Sequence, residues 1–71
     1  MFDVHKFKYF VGKNGLSLED ISSYLGINPA TLYRKMHGDS DFTRTEITII
    51  RDRLHLTNED ITSIFFAHDF A

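Results

Sequence analysis

The sequence predicts a compact all-α domain built from five short helices. Apolar residues recur at intervals of three and four, and each helical block starts or stops at a recognisable capping residue. No strand-like alternation is sustained, and no internal repeat or low-complexity tract occurs. A chain of 71 residues can bury one modest core, so residues 1–71 are expected to form a single domain.

The first helix is expected from about Val4 to Lys13. Asp3 is a plausible N-cap, and the pair Asn14-Gly15 ends the helix. The inner face carries three apolar residues at helical spacing and one that flanks them: Val4, Phe7, Val11 and Phe10.

The second and third helices are separated by the three-residue turn 26–28, Gly-Ile-Asn. Ser17 is expected to cap the second helix and Asn28 the third. Pro29 suits the first helical position because its missing N–H would be unpaired there anyway. The third helix is expected to continue to about His37. The contacts between the two helices are expected to come from Ile21, Leu25, Ile27 and Leu32, beside the small residue Ser22.

The last two helices open with capping-box patterns, at residues 43–46 (Thr-Arg-Thr-Glu) and at residues 57–60 (Thr-Asn-Glu-Asp). Apolar residues follow at helical spacing in both: Ile47, Ile50 and Leu54, then Ile61, Ile64 and Phe65. The aromatic residues near the end of the chain are expected to close the core beneath the first and fourth helices. As an alternative, Phe66 or Phe70 forms an apolar patch for a second subunit, and hence a homodimer, or for another partner.

Composition argues against several classes of protein. The absence of cysteine rules out disulfides and thiolate metal sites. The apolar runs are too short to span a bilayer and the first residues do not resemble a signal peptide, so a cytoplasmic protein without a membrane segment is expected. The four histidines lack ligand spacing, and neither a nucleophile arrangement nor a phosphate-binding glycine loop is present. No metal, cofactor or enzymatic activity is therefore expected.

The formal net charge of −2 is unevenly distributed. Residues 1–38 contain five Lys or Arg and three Asp or Glu, whereas residues 39–71 contain three and seven. No acid occurs between Ile21 and Gly38. The third helix therefore lies in locally neutral-to-basic surroundings, which suits a polyanion, while the acidic C-terminal half suits a basic protein partner.

Residues 17–38, SLEDISSYLGINPATLYRKMHG, resemble the helix-turn-helix of the lambda-repressor-like (Cro/CI, or XRE) DNA-binding family. One helix before this motif and two after it match the five-helix domain of that family. Further short motifs are similar to those of small regulators from temperate phages of Gram-positive hosts: Phe42, Glu46-Ile47, Glu59-Asp60-Ile61 and Ile64-Phe65-Phe66.

The resemblance implies that the third helix lies in the major groove of operator DNA. Its reachable polar groups are Asn28, Thr31, Tyr33 and Arg34. Arg34 is the best candidate for a guanine, because its fork matches O6 and N7, and Ala30 is placed to contact a thymine methyl. Three residues are expected nearer phosphates: Ser17, Lys35 and His37.

The chain departs from the family pattern at two places. Pro29 and Ala30 occupy the start of the third helix, and neither can form bidentate hydrogen bonds to a base. Lys35 stands where many family members have an apolar residue, so Met36 is expected to take over that packing.

Two functions are compatible with the resemblance. The first is a regulator in a phage lysogeny switch that binds operator DNA through the helix at residues 28–37. The alternative is a modulator or antirepressor that docks on the DNA-binding domain of the cognate phage repressor. In that case Tyr33, Arg34 and the terminal phenylalanines, with the acidic C-terminal half, would contact the partner.

Overall fold

The computed structural model describes residues 1–67. Its elements are α1 (Val4–Lys13), α2 (Leu18–Leu25), α3 (Pro29–Met36), α4 (Arg44–Leu54) and α5 (Asn58–Phe65). No strand occurs in this part of the chain. The predictions of an all-α fold and of five helices are confirmed, with the helix bounds within about a residue of those expected.

Every helix begins at a side chain that accepts a hydrogen bond from its first turn. The five N-caps are Asp3, Ser17, Asn28, Thr43 and Thr57. Three of them belong to reciprocal capping boxes, in α2, α4 and α5, where the third helical residue returns a bond to the N-cap backbone. Because such a cap satisfies backbone N–H groups that a helix start leaves unpaired, it fixes where the helix begins.

The core lies where the inner faces of all five helices meet. Its buried members are Phe7, Val11, Ile21, Leu32, Met36, Ile50, Leu54, Leu56, Ile64 and Phe65. The helices pack mainly as the pairs α1–α2, α2–α3, α2–α4 and α1–α5. The radius of gyration, 11.1 Å, matches the value of about 11 Å for a compact chain of this length.

An aromatic cluster joins the start of the chain to α5. The ring of Phe2 packs within 5.0–5.2 Å, centroid to centroid, of three other rings, those of Phe7, Phe42 and Phe65. The backbone N–H of Asp3 donates to the carbonyl of Ile64 at 2.7 Å. These contacts tie the N-terminal segment to the end of the fold.

The terminal phenylalanines divide between two environments. Phe65 is buried, as expected of a residue that closes the core, whereas Phe66 is 40% exposed. Phe70, the other residue expected to supply an apolar patch, lies outside the described residues. None of α1 to α5 combines the length and the apolar character that crossing a membrane requires.

α2 and α4 both end at a residue in the left-handed region. Gly26 ends α2 in the left-handed region, at φ 69°, where glycine has no steric penalty. His55 does the same at the end of α4, at φ 55°, and it is the one non-glycine residue with positive φ in residues 1–67. A histidine at this position was not expected from the sequence.

Candidate functional site: the outer face of α3

The turn between α2 and α3 sets the orientation of α3 relative to α2. The left-handed conformation of Gly26 turns the chain sharply, and the N–H of Ile27 donates to the carbonyl of Ser22 at 3.0 Å. The buried hydroxyl of Ser22 donates to the carbonyl of Glu19 at 2.8 Å, so it leaves no unpaired polar group between the helices. Leu32 then anchors α3 in the core.

The opposite side of α3 is exposed and carries no acidic side chain. We call this surface the α3 face, and it comprises Asn28, Pro29, Ala30, Tyr33, Arg34 and His37. Six of the nine residues singled out from the sequence therefore lie together. Thr31 is half-buried at the edge of this surface, and Ser17 is exposed at the start of α2.

Asn28 and Ser17 both act first as helix caps. Asn28 Oδ1 accepts from the N–H of Thr31 at 2.8 Å, and Ser17 Oγ accepts from the N–H of Asp20 at 3.1 Å. The amide NH₂ of Asn28 and the hydroxyl hydrogen of Ser17 remain as possible donors, because capping uses only the oxygens. Both residues can therefore keep their structural role while they donate to a ligand.

Arg34 is the one arginine or lysine on the α3 face. Its Nη2 donates to Thr31 Oγ1 at 3.2 Å, one turn earlier in the helix. This bond uses one of the five N–H groups of the guanidinium, so a fork of donors remains for a ligand. The contact also directs the side chain along α3 toward its N-terminal end.

Tyr33 and His37 form an aromatic pair at the other end of the face. Their ring centroids are 4.1 Å apart and the rings are inclined by 37°. They stand four residues apart, which brings two side chains together on one side of a helix. Tyr33 remains 61% exposed despite this contact, so it presents a large, oriented ring and a hydroxyl to solvent.

Lys35, expected near phosphates, is directed away from the α3 face. Its Nζ lies 3.1 Å from Glu46 Oε1 and donates to the carbonyl of Asp41 at 2.8 Å, and the side chain is only 11% exposed. The ammonium group also lies 6.0 Å from the ring centroid of Phe42. Lys35 therefore connects α3 to the following loop and to α4, while Met36 is buried in the core as expected.

Two opposing effects determine the pKa of Glu46. Burial by itself would raise its pKa, but the backbone N–H of Thr43 and the ammonium of Lys35 both favour the ionised carboxylate. The net result is a pKa below the ordinary value of a glutamate. The bond from the Thr43 N–H to Glu46 Oε1 is 2.8 Å long and belongs to the capping box of α4. One carboxylate thus serves both the helix start and the ion pair.

A groove of about 220 Å³ opens between the first turn of α2 and α3. We call it the α2–α3 groove, and its lining residues are Leu18, Glu19, Pro29, Leu32, Tyr33 and Met36. Leu18 and Glu19 were not singled out as site residues from the sequence. No sequence signal reveals this groove, because its width depends on how closely α2 and α3 pack.

No group of three or more potential metal-ligating side chains is found within residues 1–67. Comparison with known proteins gives no matching family model, curated relative or solved structure. A function for this chain therefore has to be argued from the chemistry of the α3 face and of the α2–α3 groove.

Proposed function

We propose that the chain is a helix-turn-helix regulator of the lambda-repressor-like type that binds operator DNA through α3, in the lysogeny switch of a phage within its bacterial host. The observation that carries this proposal is an exposed helix that follows a tight turn, has no acid, and bears an arginine with a largely unused fork of donors. Such a helix has the dimensions and the donors that a major groove accepts.

The contacts divide into those that specify and those that position. Arg34 supplies a bidentate pair to O6 and N7 of a guanine, which is worth about 1–3 kcal/mol of discrimination. The Asn28 amide is a second donor to a base edge, and Ala30 packs on a thymine methyl. Ser17 and His37 donate to phosphates on either side. Lys35 is left out, because its ammonium group is bound to Glu46 and Asp41.

The small number of bases predicts weak affinity for a single domain. Each phosphate neutralised contributes about −0.9 to the slope of log K against log salt. Arg34 is the only Lys or Arg that this proposal places on DNA, with His37 as a second donor, so the slope for one domain is expected to be shallow. A homodimer that contacts two half-sites would double the contacts.

The test starts from duplexes selected out of a random-sequence library at low salt. Fluorescence anisotropy then compares the wild type with Arg34→Ala and with Arg51→Ala, a control at an exposed arginine of α4 that pairs with the neighbouring Asp52. We expect Arg34→Ala to weaken binding by about tenfold or more and to relax sequence preference at one position. If no duplex is enriched, or if both variants bind equally well, direct DNA binding is wrong.

A second candidate function is favoured by the α2–α3 groove. Under this proposal the protein is a modulator or antirepressor that docks on the DNA-binding domain of the cognate phage repressor. An apolar groove beside an exposed tyrosine is a typical feature of a protein interface and has no role in binding phosphates. Co-purification with the repressor, together with loss of the repressor's operator binding, would support this function. Calorimetry that detects no association would exclude it.

A further inference from the structure

We propose that the α2–α3 groove takes one large apolar side chain from a protein partner, and that an arginine or lysine beside that side chain pairs with Glu19. This proposal rests on the second candidate function and specifies the chemistry of the partner. The partner surface is a helix or loop in which a leucine, isoleucine, methionine or phenylalanine protrudes next to a base.

The size and lining of the groove indicate a single side chain as its occupant. Leu32 and Met36, its most buried lining residues, and Leu18 at its side offer only apolar surface. Methionine is unbranched and adapts its shape to what it contacts. A volume of about 220 Å³ is smaller than the roughly 300–1,000 Å³ of sites that enclose a small molecule. The groove therefore fits a protruding apolar residue better than a cofactor.

The negative charge of Glu19 at the edge of the α2–α3 groove indicates that a basic residue stands next to the apolar side chain of the partner. Glu19 is exposed and forms no ion pair within residues 1–67, whereas the adjacent Asp20 is engaged in the capping box with Ser17. A carboxylate beside α3 would repel the phosphates of DNA, but it attracts the guanidinium or ammonium group of a protein partner. Tyr33, exposed on the same rim, supplies the aromatic contact that interface hot spots favour.

The probe for the test is a displayed library of helical peptides randomised along one face, selected against the full chain. We expect the enriched peptides to share one large apolar residue with Arg or Lys within a turn of it. Methyl NMR of the complexes should show the largest shifts at Met36, Leu18 and Leu32. Enriched peptides without an apolar residue, or with acids beside it, contradict the proposal, as does a selection that enriches nothing.

A matched pair of variants tests the role of Glu19. Glu19 and Glu59 are both exposed, and each is the second residue of a helix that begins with a capping box. Glu19→Lys and Glu59→Lys therefore change the net charge and the helix start in the same way. We expect Glu19→Lys to weaken the selected peptides by at least about fivefold, because a repulsive pair replaces an attractive one, and Glu59→Lys to leave them unchanged.

A variant at Tyr33 and a measurement of folding complete the test of the groove. Tyr33→Ala should weaken the same peptides by about tenfold, and circular dichroism establishes that each variant is folded. Equal peptide binding by Glu19→Lys and Glu59→Lys overturns the proposal, as does unchanged binding by Tyr33→Ala.

A parallel titration with the DNA duplexes distinguishes failure of the groove proposal from failure of the antirepressor function. If DNA binding persists while no such peptide emerges, the groove proposal falls and the first function stands. If peptides bind through Glu19 and Tyr33 while the repressor does not associate, the antirepressor function falls and the groove chemistry stands.

Discussion

The ammonium nitrogen of Lys35 lies 3.1 Å from a carboxylate oxygen of Glu46, and the two side chains are only 11% and 12% exposed. This ion pair joins the last turn of α3 to the first turn of α4. A second bond from Lys35 to the carbonyl of Asp41 holds the intervening loop in place. The orientation of α3 relative to the rest of the domain therefore depends on these contacts as well as on the apolar core.

We expect Lys35→Met to destabilise the protein by about 1–3 kcal/mol, because it leaves Glu46 largely shielded from water without its charged partner. Urea denaturation measures this free energy of unfolding. Lys6→Met, at an exposed lysine of α1, is the matched control and should have little effect. Equal stabilities of the two variants would show that the ion pair contributes nothing measurable.

The low pKa of Glu46 makes its contribution to stability depend on pH. A carboxyl group whose pKa is lower in the folded state stabilises the fold above its unfolded pKa, about 4.3 for glutamate. That contribution is lost as the pH falls through the lower, folded value. We therefore expect the advantage of the wild type over Glu46→Gln to be largest near neutral pH and to shrink as the pH falls below about 4.3. Urea denaturation across pH measures it.

A control at an exposed glutamate, Glu59→Gln in α5, separates the role of Glu46 from the general effect of removing one charge. The amide of Glu46→Gln can still accept from the N–H of Thr43, so the capping bond is preserved. An advantage of the wild type that is constant from neutral to acidic pH would contradict the assignment.

The left-handed conformation of His55 offers a stabilising substitution. A side chain at φ 55° is strained relative to glycine, so we expect His55→Gly to stabilise the protein by about 0.5–1 kcal/mol. His37 ends α3 at φ −98°, where glycine gives no such relief and adds entropy to the unfolded chain. His37→Gly should therefore be neutral or destabilising. Thermal unfolding of both variants tests the contrast, and equal shifts would refute it.

Two substitutions at Asn28 distinguish its role as the N-cap of α3 from its proposed contact with DNA. Asn28→Ala removes the acceptor for the Thr31 N–H and should cost about 1 kcal/mol of stability. Asn28→Asp keeps the acceptor but adds a negative charge to the α3 face, so it should remain as stable as the wild type and bind DNA more weakly. Denaturation and anisotropy measure the two effects. Unchanged DNA binding by Asn28→Asp would exclude a DNA contact at the start of α3.

The helices were predictable because their ends depend on local chemistry. A capping residue and its partner stand three positions apart in the chain, as Ser17 and Asp20 do, so the sequence contains both halves of the interaction. The same holds for the apolar spacing that placed Leu32 and Met36 on the inner side of α3. That periodicity also leaves Tyr33 and Arg34 on the outer side of the helix, whereas their selection as contact residues came from the family resemblance of residues 17–38.

Sequence alone therefore determined the helices, their caps and the outer side of α3, since each depends on residues within one or two turns. Tertiary structure decided the partners of Lys35, the packing of Phe2 on Phe65 and the α2–α3 groove. These features join residues that are distant in the chain, or depend on how closely two helices approach. The sequence does not distinguish an exposed lysine from one in an ion pair. For Lys35 the difference depends on the position of Glu46, which only the packing of α4 against the rest of the fold determines.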